Sequence, residues 1–347
     1  MHKRAFLEGF LTASAVAFGG QYMWRRINRA PLALAPIINP NPGIASSAPL
    51  ARADAVADPA QPTPPRAETG FEFAPIEVEK TIPQQGIPKP APSADIKHGF
   101  NITGLNDTEV ASYLRKIRNF DAIFASDIYL DRSYESLLLQ TTQHLTRVEA
   151  YMGHGNFNLM SFDEMLQAGR NFPAIGRFTP EELNFLEEVF FANPHRYGFF
   201  GEKISADITD RIPRKDVAKI PRSGHFLLRG ESLNLYNQIR KDVGDEVILT
   251  SGVRSNVKQM HLFLAKTIEA KGNLSRASRS LAPPGHSYHG IGDFDIGKVG
   301  FGERNFTVDF STTSEYRKIA GLGYVDIRYP TDNLFGVRFE PWHIKLG

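Results

Sequence analysis

The chain of 347 residues contains no cysteine. This absence excludes disulfides, cysteine-ligated zinc, iron–sulfur clusters, a thiol nucleophile and the acylated cysteine of a bacterial lipoprotein. A metal site would therefore have to use carboxylates and the ten histidines. An excess of one charge is also lacking, because 40 Lys and Arg against 38 Asp and Glu leave a net charge of +2. Such a balance argues against a dedicated nucleic-acid-binding protein.

Long apolar stretches are scarce, and the one of interest lies at the N-terminus. Residues 5–24 carry a single charge, Glu8, and follow Lys3 and Arg4, as in an export signal. The Lys3-Arg4 pair also resembles a twin-arginine signal. The uncharged residues 9–24 would span about 24 Å as a helix, against about 30 Å for the hydrocarbon layer. We therefore expect residues 1–29 to be a signal peptide or an anchor in the inner membrane, and the protein to be periplasmic or exported.

Proline is concentrated in one segment, since residues 30–92 hold 14 of the 23 prolines. Chain of this composition forms an extended, semi-rigid spacer. We expect a Pro/Ala-rich disordered linker over residues 30–98. A helical region over 99–200 and a second domain over 201–347 are predicted to follow it.

Periodic apolar positions predict helices in the region 99–200. The predicted helices cover residues 106–117 and 133–152, and a third begins at Thr179 with Pro180 in its first turn. No catalytic motif is visible here. Three histidines in this region are isolated in sequence and are predicted to be surface or core residues: His144, His154 and His195.

The C-terminal part alternates short strands with helices. The predicted strands cover residues 246–250, 294–296, 323–327 and 336–339, and the predicted helices cover 231–243, 256–271 and 313–320. The connections are too irregular for a doubly wound sheet. The predicted class is α+β, a small antiparallel sheet with flanking helices, preceded by the helical region.

A first cluster of functional residues follows the strand at 246–250. It runs from Ser251 to Ser255 and includes Arg254, with Gln259 one helical turn further on. The planar, permanently charged guanidinium of Arg254 suits a carboxylate or a carbonyl oxygen. The alternative is a structural salt bridge.

A second cluster places two histidines and two aspartates within ten residues: His286, His289, Asp293 and Asp295. The two aspartates share a face if the strand is regular, with Phe294 buried behind them. Histidine with aspartate is a ligand set suited to zinc. The alternative is a turn rich in these residues.

A third cluster closes the chain with Glu340, Pro341, Trp342 and His343. Pro341 excludes an ordinary helix interior, so a strand end and a turn would bring Glu340 and His343 together. This is a feasible pair of base and metal ligand.

Taken together, the three clusters resemble the M15 zinc peptidases over about residues 222–345. This family of D-alanyl-D-alanine carboxypeptidases and dipeptidases includes the vancomycin-resistance enzymes. The resemblance implies Zn²⁺ as cofactor, and it implies roles for these residues: His289, Asp295 and His343 as zinc ligands, Glu340 as catalytic base, Arg254 as the arginine that polarises the substrate, and Gln259, Ser287 and Trp342 as substrate contacts.

The chain departs from the family pattern at one place. The family separates its first His and its Asp by seven residues, whereas His289 and Asp295 are six apart. Asp293 is therefore a rival ligand, and pairing it with His286 would restore the spacing but lose the neighbouring motif positions.

The resemblance and the export signal together predict a zinc carboxypeptidase that hydrolyses D-Ala-containing bonds in peptidoglycan stem peptides. No His-Glu-x-x-His motif is present, so thermolysin-type proteases are not the model. Two alternatives remain open. One is a non-enzymatic peptidoglycan-binding domain of the same fold, and the other is a scaffold whose helical region recruits a partner while zinc serves folding.

Overall fold

The structure, a computed structural model, describes residues 107–346 and the backbone of Leu34–Ala35. The predicted signal peptide or anchor and the linker lie outside these residues, and both remain predictions. Within the described part of the chain, no helix has the length and apolar character needed to span a membrane.

Helices account for most of the regular structure between residues 107 and 280. The helices are α1 (Asp107–Arg118), α2 (Glu135–Met152), α3 (His154–Leu159), α4 (Phe162–Asn171), α5 (Pro180–Phe191), α6 (Glu231–Val243), α7 (Asn256–Glu269), α8 (Leu274–Ser280) and α9 (Ser314–Ala320). Short 3₁₀ helices cover Arg132–Tyr134, Pro194–Tyr197, Arg214–Asp216, Tyr288–Gly290, Gly302–Phe306 and Val308–Thr312.

The predicted helix start at Thr179 is confirmed, and its cause is a capping box. The Thr179 side chain accepts a hydrogen bond from the Glu182 backbone, and the Glu182 side chain accepts one from the Thr179 backbone. Pro180 occupies the first turn, where its missing N–H costs no helical bond. A cap of this type stabilises a helix by about 1 kcal/mol.

The strands that the structure describes are short, and they pair in the antiparallel sense. They are β1 (Leu34–Ala35), β2 (Tyr129–Leu130), β3 (Val217–Lys219), β4 (Phe226–Leu228), β5 (Val247–Ser251), β6 (Phe294–Lys298), β7 (Asp326–Ile327) and β8 (His343–Lys345). The main sheet has the order β5-β6-β8-β7, and β1–β2 and β3–β4 form two small pairs. The predicted α+β class, a small antiparallel sheet with flanking helices, is confirmed.

The strand predicted at 336–339 is wrong, and the sheet instead gains β8 at His343–Lys345. Gly336 adopts φ 89°, which interrupts regular extended backbone. The Arg338 backbone N–H donates to the carbonyl of Arg279, which lies in the last turn of α8 and not in the sheet. The segment is therefore irregular and packs along a helix.

Three apolar clusters form the core of the described part of the chain, and the smallest consists of Leu159, Val217 and Val253. The other two are larger. The largest combines helices from the segments before and after residue 200, and its members include Leu145, Phe157, Phe185, Phe263 and Ala277. The second lies between the main sheet and helices α6 and α9, with members that include Ile239, Val247, Phe294, Ile319 and Ile344. Helix α7 therefore packs against the helical region while its N-terminus lies next to the end of β5.

Candidate metal centre

The register of the main sheet brings the second and third sequence clusters together. Asp295 on β6 is paired with Ser251 on one side and with His343 on the other. His289 lies in the 3₁₀ helix that precedes β6. One potential ligand atom from each of His289, Asp295 and His343 lies within 4.8 Å of the other two, and all three residues are buried. The three predicted ligands thus converge.

His289 is oriented by a backbone carbonyl. Its Nδ1 donates to the oxygen of Gly252 at 2.8 Å, which leaves Nε2 directed at the centre, 3.4 Å from Asp295 Oδ2. Burial and the positive charge of Arg254 lower the pKa of His289 to about 4. The imidazole is therefore neutral at physiological pH, which is the form that binds a metal.

A glycine is required next to His289. A Cβ atom at Gly252 would lie 2.0 Å from the carbonyl oxygen of Phe226. The backbone of β4 comes this close because the Val253 N–H donates to the same oxygen.

Asp295 presents a buried carboxylate oxygen to the centre. Its Oδ1 lies 3.3 Å from His343 Nδ1, but no hydrogen bond reaches this oxygen from the part of the chain that the structure describes. Burial would raise the pKa of Asp295, yet the neighbouring His289, His343 and Arg254 outweigh it and lower this pKa. A buried, unsatisfied oxygen of this kind costs about 1–3 kcal/mol, and a cation among the three side chains would satisfy it.

Asp293 supports His343 from behind. Its Oδ2 lies 3.1 Å from His343 Nε2, so His343 directs Nδ1 at the centre. Arg328 also donates to both Asp293 oxygens, at 2.7 and 2.9 Å, and the Leu346 N–H donates at 2.8 Å. Burial would raise the pKa of Asp293, but these hydrogen bonds lower it to about 2. Asp293 therefore has the position of a residue that orients a ligand.

His286, the partner that would restore the family spacing, lies apart from the centre. Its Nδ1 is directed at the carbonyl oxygens of Gly201 and Glu202, at 3.2 and 2.9 Å. Its buried ring is also in edge contact with Phe199. The structure thus does not bring the His286–Asp293 pair together.

Glu340 borders the same centre. Its Oε2 lies 3.4 Å from His343 Nδ1, and its Oε1 lies 3.8 Å from Arg338 Nε. The His343 N–H donates to the Glu340 carbonyl, and the Glu340 N–H donates to that of Tyr329. The two residues meet through a turn that leads into β8, as the sequence predicts.

The carboxylates around His343 favour positive charge at this point. Burial would lower the pKa of His343, but Asp293, Glu340 and Asp295 together raise it to about 9. A bound cation would meet the same electrostatic attraction as this proton.

Arg254 lies beside the centre and is held by two side chains. Its Nη1 donates to Gln259 Oε1 at 3.0 Å and its Nη2 donates to Ser251 Oγ at 2.9 Å. The same Nη2 is 3.6 Å from Asp295 Oδ2. Gln259 in turn donates from Nε2 to the Ala282 carbonyl. Gln259, predicted as a substrate contact, thus lies behind Arg254 with both ends of its amide engaged.

A cavity of about 290 Å³ opens over the centre. Ser287 and Trp342, two predicted substrate contacts, line it together with Glu340 and Arg254. Trp342 is also 97% buried and packs its ring against Phe306. It therefore serves the core as well as the cavity wall.

The residues that line this cavity and that sequence analysis did not assign to the site include His154, Asn158 and His225. They come from α3 and from the residue before β4, far from the recognised clusters. His154, predicted to be a surface or core residue, lies half exposed at the cavity and is paired with Glu149. The position of His154 in the sequence does not indicate that it lies at the cavity, because only tertiary packing brings α3 close to Arg254.

Comparison with known proteins identifies one family. Residues 230–346 match the family model described as VanY, D-alanyl-D-alanine carboxypeptidase. No curated protein sequence is detectably similar to the chain.

Solved structures with detectable similarity include three peptidases. The LdcB LD-carboxypeptidase is 21% identical, covering 39% of this chain and 69% of its own, with a TM-score of 0.31. A mutant of the vancomycin-resistance D,D-pentapeptidase VanY in complex with Zn(II) is 26% identical. The match covers 39% of this chain and 81% of that one, with a TM-score of 0.28. VanYB in complex with D-alanine-D-alanine is 26% identical. The match covers 39% of this chain and 80% of that one, with a TM-score of 0.29.

The matched segment contains all eight site residues predicted from the sequence, from Arg254 to His343. Residues 230–346 thus form a domain of the VanY D-alanyl-D-alanine carboxypeptidase family.

Proposed function

We propose that the protein is a zinc-dependent carboxypeptidase that hydrolyses D-Ala-containing peptide bonds in peptidoglycan stem peptides. The observation that carries this proposal is the convergence of His289, Asp295 and His343, with Glu340 on the same cavity wall. The family match supports the reaction class and the kind of substrate.

The three converging side chains fit zinc. Two imidazole nitrogens and one carboxylate oxygen form a ligand set found in catalytic zinc sites, in which a fourth position stays open. The unsatisfied Oδ1 of Asp295 and the neutral His289 both match this assignment. Zinc bound here would supply Lewis acidity, which lowers the pKa of water and polarises a carbonyl group.

Glu340 is assigned the role of general base. Its carboxylate lies 3.4 Å from a proposed ligand atom and faces the cavity, so it borders the space that an attacking water would occupy. In this role Glu340 accepts the proton of the water and then delivers it to the leaving amine. Positioned proton transfer of this kind contributes about 10²–10⁴-fold in rate.

Arg254 is assigned the role of oxyanion stabiliser. Ser251 and Gln259 fix its guanidinium in advance, so little reorganisation is needed when negative charge develops on the carbonyl oxygen. In this arrangement Gln259 acts through Arg254, whose guanidinium it holds in place.

The cellular location is proposed to be the periplasm or outside the cell, since peptidoglycan is found there. The N-terminal segment with its apolar residues 9–24 would provide export and, if uncleaved, attachment to the inner membrane.

The direct test is digestion of purified muropeptides, read by mass spectrometry, which reports the bond that is cut. We expect wild type to release a C-terminal D-amino acid and a zinc chelator to stop the release. Glu340→Ala should retain stoichiometric zinc but lose about 10²–10⁴-fold in kcat.

The matched control is Glu303→Ala, which removes an exposed carboxylate that does not line the cavity. It should behave as wild type. Binding of muropeptides without turnover in wild type would instead indicate a non-enzymatic peptidoglycan-binding domain, and cleavage that survives the loss of Glu340 would contradict the assigned base.

A further inference from the structure

One wall of the cavity is built by residues outside the VanY-matched segment. His154 and Asn158 on α3 and His225 before β4 line the same cavity as Arg254. None of the three takes part in the proposed reaction. We refer to these three residues as the helical wall.

The helical wall is fixed to the residues that position Arg254. The Asn158 carbonyl accepts a hydrogen bond at 2.9 Å from the N–H of Ser255, the residue that caps α7. Phe157 is fully buried in the largest apolar cluster. The wall therefore has a defined position next to the loop that carries Arg254.

Glu149 on α2 anchors His154 and neutralises a neighbouring lysine. Its Oε1 lies 2.8 Å from His154 Nδ1 and 2.7 Å from Lys258 Nζ, and its Oε2 lies 2.9 Å from His261 Nδ1. Burial would raise the pKa of Glu149, but these three partners hold it far below its usual value. The carboxylate stays ionised and fixes the His154 ring.

Asn158 sets the tautomer of His225. Its side-chain amide donates to His225 Nδ1 at 3.3 Å, so the proton of the neutral ring lies on Nε2. The rings of His225 and His154 meet edge to face at 5.1 Å. Burial, and to a smaller extent the neighbouring His154 and Arg254, lower the pKa of His225 to about 4. His225 is therefore a neutral ring whose Nε2 carries the proton that it can donate.

Charge is distributed unevenly along the cavity. The carboxylates among its lining residues, within the described part of the chain, are Asp295 and Glu340, and both belong to the metal centre. The remaining charged lining residues are Arg254, Lys258 and Arg338. Among the described residues, the side formed by the helical wall has no carboxylate that lines the cavity, because Glu149 lies behind it and pairs with His154 and Lys258. The His225 ring has no carboxylate partner of its own in this part of the chain.

We propose that the helical wall is a specificity subsite for a free carboxylate carried on a substrate residue N-terminal to the cleaved bond, with His225 Nε2 as its hydrogen-bond donor. This inference rests on the proposed function. It adds a substrate feature that the enzyme recognises through residues outside the VanY-matched segment. A hydrogen bond to a charged group in such a setting changes affinity by about 10–100-fold.

The test uses two synthetic peptides that differ only in a side-chain carboxylate before the scissile bond, which is free in one and amidated in the other. Their dissociation constants are measured by calorimetry on zinc-loaded Glu340→Ala, which turns them over about 10²–10⁴-fold more slowly than wild type. We expect the free carboxylate to bind about 10–100-fold more tightly. His225→Phe in the same background should abolish this preference, whereas His225→Gln, which keeps a donor near the Nε2 position, should restore most of it.

The matched control is His195→Phe, which changes an exposed histidine that does not line the cavity. It should leave the preference unchanged. Three results in the Glu340→Ala background would overturn the inference. They are the same preference for the free carboxylate with and without His225→Phe, no preference in either protein, and binding of neither peptide.

A second measurement needs no substitution at His225. Titration of the free-carboxylate peptide should shift the ¹³C–¹H resonance of the His225 ring and leave that of His195 in place. An unchanged His225 resonance at saturation would also overturn the subsite. If wild type cleaves muropeptides but the His225 variants do not change the preference for the free carboxylate, only this inference fails. If wild type cleaves no muropeptide, the proposed function fails.

Discussion

The sheet region, residues 231–346, and the helical region, residues 107–200, both contribute to the cavity, but they do so by different means. In the sheet region, backbone register places Asp295 opposite both Ser251 and His343. In the helical region, packing of α3 on α7 brings His154 to the same cavity. Register is encoded over a few residues, whereas packing depends on contacts between distant segments. This difference explains why motifs are visible in the first region and absent from the second.

The largest expected effect tests whether the two regions are one cooperative unit. Phe157 lies in the apolar cluster that α2, α3 and α7 share, and Phe157→Ala should lower the free energy of unfolding by about 3–5 kcal/mol. Urea denaturation followed by circular dichroism and by Trp342 fluorescence, in a Trp24→Phe background, should give coincident transitions. Ile123→Ala, at a position that is 69% exposed, is the control and should cost less than about 0.5 kcal/mol. Two separate transitions would mean that the regions fold independently.

The second prediction concerns chemistry in the sheet region alone. Arg254→Ala should lower kcat by about 10²–10³-fold, or about 3 kcal/mol, because the developing oxyanion loses its donor. Zinc content, measured by mass spectrometry, should stay at one equivalent. Arg254→Lys should not rescue the rate, since an ammonium group cannot keep both the Ser251 and Gln259 contacts of the planar guanidinium. Full activity in the lysine variant would contradict this role.

The third prediction concerns the helical region through pH. The pKa of Glu149 is lowered in the folded state relative to about 4.3 in an unfolded chain. Its ion pairs therefore stabilise the fold above that pH, and the stabilisation is lost as the pH falls. Glu149→Gln should cost about 1.5–3 kcal/mol at pH 7 and progressively less below pH about 4. Urea denaturation of both proteins at several pH values measures the difference between their free energies of unfolding. A difference that stays constant down to acid pH would be inconsistent with stabilising ion pairs of Glu149.

The fourth prediction distinguishes the two aspartates of the second cluster. If Asp293 orients His343 from behind, Asp293→Ala should weaken zinc binding by about 10–100-fold while leaving one site. Asp332→Ala, which removes an exposed carboxylate, is the matched control. Competition with a chromogenic chelator gives the affinity. Complete loss of stoichiometric zinc in Asp293→Ala, with retention in Asp295→Ala, would reverse the assignment.

Local signals in the sequence predicted much of the fold. The helix at 231–243 forms with the predicted bounds, and the helix start at Thr179 follows from its capping box. The strand predicted at 336–339 failed because Gly336 and the Arg338–Arg279 backbone bond divert that segment to α8. A contact between segments so far apart in sequence leaves no local pattern.

The sequence predicted which residues form the candidate centre better than it predicted how they are arranged. Residue types and order indicated His289, Asp295, His343 and Glu340. The place of Gln259 behind Arg254 was not predictable, because it depends on the Ala282 carbonyl that holds its amide. His225 and Asn158 were missed for the same reason, since neither has a motif partner nearby in sequence.

The central claim is that one zinc ion binds between His289, Asp295 and His343. The most direct measurement is a crystal structure of the zinc-loaded protein with anomalous data collected on both sides of the zinc edge. We predict a single strong anomalous peak within about 2.0–2.2 Å of His289 Nε2, an Asp295 carboxylate oxygen and His343 Nδ1. A peak coordinated by Asp293 or His286 instead, or no peak at this centre in protein that contains stoichiometric zinc, would contradict the account.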